Sequence, residues 1–213
     1  MSFHLPSLVA IVIAYLIGSL SFAVIVSKLL GMADPRSYGS GNPGATNVLR
    51  SGNKTAALAT LLLDGLKGWL PVFAVHQWGG AWGLGPTTAA LVGLAAFLGH
   101  LYPVFFGFKG GKGVATALGA LFGFDWLLGL ATAATWIIIA LFFRFSSLAS
   151  IVAALFAPAY YLLGGNITWP LAGGVFFTLL AMSLLLIWRH RENIRRLWAG
   201  TESKLGANKT REA

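Results

Sequence analysis

Residues 114–143 read VATALGALFGFDWLLGLATAATWIIIALFF, an apolar run with a single charged residue, Asp125. A membrane-spanning helix needs about 20 mostly apolar residues. The run is therefore either one long helix or a short helix followed by a full-length one. This choice decides on which side of a membrane every later residue lies.

The distribution of Lys and Arg separates the two topologies. If the run crosses once, the tail after residue 187 is exported with its basic residues, Arg189, Arg191, Arg195, Arg196, Lys204, Lys209 and Arg211. Cytoplasmic segments collect Lys and Arg, so this topology is disfavoured. If the run crosses twice, the inside segments hold 14 of the 15 Lys and Arg residues, and the fifteenth is Lys67 within a predicted helix.

We therefore predict an all-α polytopic membrane protein with seven transmembrane helices, the N-terminus outside and the C-terminus cytoplasmic. The fourth helix, residues 114–124, is too short to span about 30 Å at 1.5 Å per residue. Residues 1–198 form one membrane domain, and residues 199–213 form a polar cytoplasmic tail. The predicted spans outside the run cover residues 5–30, 56–75, 86–106, 148–163 and 168–188.

Composition supports this class and excludes others. Hydrophobic residues make up 57% of the chain and charged residues 10%, against about 25% in soluble domains. The net charge of +9 does not indicate nucleic-acid binding, because cytoplasmic loops collect Lys and Arg for topological reasons. The chain has no cysteine, and its four histidines are widely scattered, so we predict no metal site and no cofactor.

Two polar, glycine-rich loops lie on the predicted cytoplasmic side. Residues 39–50 read GSGNPGATNVLR and residues 107–113 read GFKGGKG. The first matches G-x-G-x-x-G, but it follows a spanning helix rather than a strand, so it does not indicate a dinucleotide site. The second resembles a Walker A loop, but its spacing differs and Gly113 stands where Ser or Thr would bind Mg²⁺.

Both loops nevertheless carry groups that hold phosphate. Glycines let backbone N–H groups converge on an anion, and the helix N-termini after the loops add partial positive charge. Arg50 can fork onto two phosphate oxygens, and Lys112 supplies a point charge. The alternative is a pair of flexible connections whose charge only sets the topology. The other candidate ligands in these loops are Ser40, Gly41, Asn42, Gly44, Thr46, Asn47, Gly110 and Gly111.

Further polar residues lie near the same face. His190 and Asn193 are spaced i, i+3, which on a continuous helix places them on one side. A solvated helix end explains this pair equally well. Ser146 and Ser147 follow Arg144 at the same predicted depth, either as site residues or as an N-cap.

Three ionisable residues lie inside predicted spans. Asp64 and Lys67 are spaced i, i+3, and buried charges in a membrane are usually paired or functional. A mutual ion pair is the favoured interpretation. His100 is interpreted first as a satisfied interior histidine, with a general base or an orienting group as alternatives.

Three separated stretches share the predicted cytoplasmic face. They are YGSGNPGATN at residues 38–47 followed by Arg50, GHLYP at 99–103 leading to KGGKGVAT at 109–116, and RHRENI at 189–194 with GTE at 200–202. In this order they resemble the bacterial acyl-phosphate-dependent glycerol-3-phosphate acyltransferases, a family of seven-helix membrane enzymes. The resemblance covers nearly the whole chain.

The resemblance implies the first acylation of phospholipid synthesis, in the bacterial inner membrane. A fatty acyl group passes from acyl phosphate to the 1-hydroxyl of glycerol 3-phosphate, giving lysophosphatidic acid and phosphate. Since no Ser-His-Asp order stands out, we expect direct transfer without an acyl-enzyme. The expected catalytic residues are Ser40, Arg50, Lys112, His190 and Asn193, and Ser147 joins the substrate-binding set.

Partners follow from the same chemistry. They are the two phosphorylated substrates and membrane lipid, and the basic face suits docking of the soluble enzyme that makes acyl phosphate. The alternative function is a transporter or channel for a phosphorylated solute. Against it, the polar residues are confined to one side, and the chain shows no internal repeat.

Overall fold

The computed structural model describes residues 4–206, and within this range the chain is helical, with turns and loops but no strand. Two short 3-10 helices, Gly79–Trp82 and Val104–Phe106, cap connections. The end of the predicted polar tail, residues 207–213, lies outside the described residues. The α-helices of the described range are α1 (Leu5–Gly18), α2 (Phe22–Leu29), α3 (Ala45–Leu49), α4 (Lys54–Trp78), α5 (Pro86–Leu101), α6 (Val114–Phe124), α7 (Trp126–Phe143), α8 (Ser146–Leu163), α9 (Gly173–Arg189) and α10 (Arg191–Trp198).

The helices of the described residues confirm an all-α polytopic membrane fold. Four helical stretches are long and apolar enough to cross a membrane, and two bent pairs, α1 with α2 and α9 with α10, raise the number to as many as six. The short apolar α6 is a further segment. Large apolar side chains such as Leu141 and Phe142 are 74% and 82% exposed, as a lipid-facing surface requires. Seven crossings and the orientation of the termini stay predictions.

The apolar run breaks at Asp125, which confirms a short helix followed by a long one. The backbone of Asp125 is extended, and its carboxylate caps α7 by accepting the Leu127 and Leu128 amides at 2.8 and 3.3 Å. An N-cap acid satisfies helix amides that have no partner within the helix. Asp125, the one charged residue in the apolar run, is thus the N-cap residue of α7.

The prediction of one continuous helix over residues 5–30 is wrong. α1 and α2 meet at an angle of 43° across residues 19–21. The Ser19 hydroxyl donates to the Tyr15 carbonyl at 2.9 Å, and Ser21 leaves the helical region of φ and ψ. A serine bonded back to the preceding turn competes with the helix ladder and favours such a bend.

Small residues bring α4 and α6 into close contact. A Cβ at Gly119 would overlap the Gly65 carbonyl, and a Cβ at Gly68 would overlap the Thr116 carbonyl. Glycine at such crossings lets two membrane helices approach closely enough for their backbones to touch. Because α6 follows the second glycine loop directly, this contact fixes where that loop ends.

The polar segment at residues 31–54 is not a loop throughout. It contains the short helix α3, and α4 starts at Lys54, two residues earlier than predicted. The Asn53 side chain caps α4 by accepting the Ala56 amide at 2.9 Å. The first turn of α4 therefore has its own cap, and the second half of the first glycine loop is the short helix α3.

The end of the membrane domain also differs from its prediction. The last long helix begins at Gly173 rather than residue 168, and the chain bends by 55° at His190 before α10. The described part of the predicted tail folds back onto the helices. The Leu205 amide donates to the Arg144 carbonyl at 2.6 Å.

The absence of cysteine makes the topology directly testable. We expect Ala81→Cys, in the exposed turn after α4, to react with a membrane-impermeant maleimide in intact cells. Lys109→Cys, in the exposed second loop, should react only after the membrane is opened. Labelling of both positions, or only of position 109, in intact cells would contradict the predicted orientation.

Candidate active site

Asn47 organises the first glycine loop. Its side chain accepts the Ser40 amide at 3.0 Å and the Ser40 hydroxyl at 3.2 Å. Its amide group donates to the Pro35 and Tyr38 carbonyls at 2.6 and 3.2 Å. Gly39 has φ +60°, and a Cβ there would overlap the Asn47 side-chain oxygen. Asn47, predicted as a substrate ligand, is thus buried and engaged in holding Ser40 in place.

The expectation that glycine amides converge on an anion is wrong for three of them. The Gly41 amide donates to the Tyr38 carbonyl and the Gly44 amide to the Asn42 carbonyl, both at 2.9 Å. The Gly111 amide donates to the His100 carbonyl at 3.1 Å. These amides are already bonded within the protein, so their glycines shape the loops. Side chains must then supply a larger share of any phosphate binding.

The second loop is fixed from several sides. The Arg189 guanidinium donates to the Gly110 carbonyl at 3.0 Å and to the Gly111 carbonyl at 2.9 and 3.2 Å. A Cβ at Gly111 would overlap the His100 imidazole and lie 2.9 Å from the Pro43 carbonyl oxygen. The two glycine loops therefore approach each other at Pro43 and Gly111, which only a residue without a side chain permits.

Lys112 joins the second loop to the third polar stretch. Its ammonium donates to the Asn193 side-chain oxygen, and the Asn193 amide donates to Glu202 at 2.7 Å. The Ser147 hydroxyl donates to the same Glu202 oxygen at 2.6 Å, and Arg196 donates to the other at 2.7 Å. We call Lys112, Asn193, Glu202, Ser147 and Arg196 the polar network.

The first loop touches the start of α8, next to this network. The Thr46 and Ser146 hydroxyls lie 3.3 Å apart. The alternative that Ser146 and Ser147 cap α8 is wrong, because Phe145 holds the N-cap position and no side chain caps it. Ser147 instead bonds Glu202.

Electrostatics distinguish the two ionisable ends of the network. Burial, together with the neighbouring charges of Arg196, Arg50 and Arg189, lowers the pKa of Lys112 to about 8, although the Glu202 charge acts to raise it. Burial acts to raise the pKa of Glu202, but hydrogen bonds from Ser147, Asn193 and Arg196 hold it below its usual range. The site thus combines a carboxylate that stays ionised with an excess of cations.

The two candidate histidines are both buried. His190 is 2% exposed, and its Nδ1 lies 2.8 Å from the Leu186 carbonyl oxygen. The helix bends at His190, which becomes the N-cap residue of α10, three residues before Asn193, which is also buried. His100 is 8% exposed, and its Nδ1 lies 3.6 Å from Asp64.

The structure brings most, but not all, predicted residues together by direct contact. Lys112, Asn193 and Ser147 meet through Glu202, and Arg50 is close enough to influence the Lys112 charge. Ser40, Gly41 and Asn42 lie on the first loop, which reaches the others through Pro43 and Thr46. The predicted set omitted Glu202, Arg189 and Arg196, although two of them stand in the stretches that carry the family resemblance.

Comparison with known proteins decides the class of the protein. The family model described as "Glycerol-3-phosphate acyltransferase" matches residues 8–200. The chain belongs to the glycerol-3-phosphate acyltransferase family. It is 64% identical over 199 residues to glycerol-3-phosphate acyltransferases of Albidiferax ferrireducens, covering 93% of this chain and 89% of that one, and of Bordetella petrii, covering 93% of each.

Solved structures of the family share the fold. The glycerol 3-phosphate form of PlsY, an integral membrane glycerol 3-phosphate acyltransferase, superposes with a TM-score of 0.86 at 41% identity and covers 94% of this chain and 96% of that one. Its lysophosphatidic acid form gives 0.84 at 40% with the same coverage. This family member is therefore an integral membrane acyltransferase of phospholipid synthesis rather than a transporter.

The lowered pKa of Lys112 predicts a pH-dependent KM for glycerol 3-phosphate. The ammonium attracts phosphate below a pH of about 8 and loses its proton above it. Between pH 7 and 9 we expect the KM to rise about tenfold. Lys112→Arg keeps its charge over this range and should give a flat profile. Coincident profiles for the two proteins would contradict this assignment.

Proposed function

We propose that this protein transfers a fatty acyl group from acyl phosphate to the 1-hydroxyl of glycerol 3-phosphate at the cytoplasmic face of the inner membrane. The polar network carries the proposal, because it draws residues from the second loop, α8 and the third stretch into one cationic site. The related PlsY was solved in a glycerol 3-phosphate form and a lysophosphatidic acid form, which are a substrate and a product of such a transfer.

The glycerol 3-phosphate site is assigned to the cationic side of the network. Lys112 and Arg50 attract the phosphate, and Ser147 and Asn193 supply hydrogen bonds to it or to the glycerol hydroxyls. His190 lies between α9 and α10, one turn from Asn193, and completes the set. Glu202 repels phosphate, so its role is to hold the Ser147 and Asn193 side chains in fixed orientations.

The acyl phosphate head group is assigned to the first loop. Thr46 is exposed and Asn42 is partly exposed, so their side chains can donate to phosphate oxygens, and the exposed Ser40 hydroxyl can turn from Asn47 to do the same. Gly41, Gly44, Gly110 and Gly111 shape the loops so that the backbone lies close to the anion. The alkyl chain then extends along the lipid-facing surface of the bundle, which is why the site lies at the membrane boundary.

Transfer proceeds in one displacement. The glycerol 1-hydroxyl oxygen attacks the acyl carbon, a C–O bond forms, and the bond from that carbon to the phosphate oxygen breaks. Cations stabilise the charge on the carbonyl oxygen and on the leaving phosphate. Ser40 is no nucleophile, because its hydroxyl donates to Asn47, an amide that cannot accept a proton.

The donor's own phosphate accepts the hydroxyl proton. The second pKa of such groups is about 6, and the phosphate lies next to the reacting carbon. His190 is engaged with the Leu186 carbonyl, and His100 lies between Asp64 and Gly111. Each is placed to orient the site rather than to reach the substrate hydroxyl.

The donor can be identified with purified protein in detergent or lipid mesophase. With acyl phosphate and glycerol 3-phosphate, we expect lysophosphatidic acid and inorganic phosphate in equal amounts. Acyl-CoA or acylated acyl carrier protein, used in place of acyl phosphate, should give no product, because neither carries phosphate as the leaving group on the acyl carbon. Lys112→Ala, which lacks the ammonium, is the matched control, and it should form less product at the same glycerol 3-phosphate concentration. Equal turnover with acyl-CoA would overturn the assignment of the donor.

The proposed base predicts mild effects of histidine substitution. We expect His100→Gln and His190→Gln each to lower kcat by less than about 10⁴-fold, because neither carries the proton. Initial rates at saturating concentrations of both substrates give kcat, and the KM values show whether substrate binding is intact. A greater loss at one position, with binding intact, would identify that histidine as the base.

Docking of the enzyme that makes acyl phosphate is a further part of this proposal. α10 presents Arg191 and Arg195, whose side chains are 51% and 77% exposed, on the cytoplasmic side of the site. An acidic partner surface would meet these charges next to the first loop, which shortens the path of a poorly soluble donor.

A further inference from the structure

Two oppositely charged side chains lie deep in α4, where the proposed mechanism does not use them. Asp64 and Lys67 expose 3% and 1% of their side chains, and their charged atoms lie 2.8 Å apart. This confirms the predicted ion pair. Such burial is costly, and the attraction within the pair offsets the cost only when further polar contacts complete it.

Lys67 joins the pair to the break in the first span. Its ammonium donates to the Leu20 carbonyl at 2.6 Å, between α1 and α2. The Val24 amide, which would bond Leu20 in a continuous helix, instead donates to the Ser21 carbonyl at 3.0 Å. Lys67 therefore satisfies a carbonyl that the bend leaves without its helical partner, and Asp64 is held from one side.

On its other side Asp64 faces His100, and His100 faces the second glycine loop. The Asp64 carboxylate lies 3.6 Å from His100 Nδ1. The opposite ring nitrogen, Nε2, lies so close to Gly111 that a Cβ at Gly111 would overlap it. The His100 carbonyl also accepts the Gly111 amide at 3.1 Å. The imidazole is thus enclosed between Asp64 and Gly111.

Gly111 in turn determines where Lys112 points. Arg189 holds the Gly111 carbonyl at 2.9 Å, and the next residue carries the ammonium that reaches Asn193. We propose that Asp64 is a positioning residue, which fixes the second glycine loop through His100 and so directs Lys112 toward glycerol 3-phosphate. This rests on the function proposed above for Lys112, and Asp64 itself does not touch substrate.

A double-mutant cycle tests the proposal. Asp64→Asn removes the charge with little change in size, and we expect the KM for glycerol 3-phosphate to rise about tenfold, as for coupled neighbours. The KM for acyl phosphate should change by less than about twofold. In a Lys112→Ala background, Asp64→Asn should change the KM by less than about twofold, because the group that Asp64 positions is gone.

Thr60→Val is the matched control on the same helix. Thr60 is fully buried one turn before Asp64, and its hydroxyl donates to the Ala56 carbonyl at 2.8 Å. This hydrogen bond stays within α4 and involves neither His100 nor Gly111. We expect this variant to lower the Tm while leaving the KM for glycerol 3-phosphate unchanged, so it separates loosening of α4 from misplacement of Lys112.

Three outcomes overturn the positioning role. They are an unchanged KM in Asp64→Asn, the same fold-change in both Lys112 backgrounds, and a KM rise in Thr60→Val equal to that in Asp64→Asn. An unchanged KM in Lys112→Ala alone overturns the proposed function of Lys112 instead. If Asp64→Asn does not fold, Asp64→Glu keeps the charge but displaces the carboxylate, and the same cycle decides.

Discussion

The Glu202 carboxylate is the contact on which the end of the bundle that carries the two glycine loops depends. It accepts hydrogen bonds from α8 through Ser147 and from α10 through Asn193 and Arg196, and its side chain is only 6% exposed. The chain has 6 acidic residues against 15 Lys and Arg residues, so few carboxylates are present to balance the positive charges. Glu202 contacts the first turn of α8 through Ser147, and this location is favourable because helix N-termini attract negative charge.

That single acid allows cations to gather without mutual repulsion forcing them apart. Arg196 and Arg50 lie close enough to Lys112 for their charges to lower its pKa. An excess of positive charge at this end of the bundle attracts anions. The backbone amides of Gly41, Gly44 and Gly111 are bonded inside the protein, so the polar groups that remain open at this end of the bundle are mainly side chains.

Beneath this surface, the apolar bundle holds its few polar groups in place by pairing them. Close packing of α4 on α6 through Gly65, Gly68 and Gly119 leaves little room for movement at the helix that follows the second loop. The Lys67 ammonium of the ion pair in α4 donates a hydrogen bond to the Leu20 carbonyl, which lies at the bend in the first span. These contacts lie directly beneath the two glycine loops, since α4 and α6 each begin near the end of one loop.

The sequence by itself determined the fold class and the break at Asp125, because hydrophobic length and the Lys and Arg distribution are properties of the chain read in order. It also indicated the pair of Asp64 and Lys67 from their i, i+3 spacing. Only the tertiary structure decided that Asn47 holds a loop, that the helix bends at His190 and that Glu202 joins the site. Asn47 bonds Ser40 and Pro35 across an irregular loop, and the Lys112–Asn193 contact joins residues 81 positions apart. Neither kind of contact follows from the regular spacing of a helix.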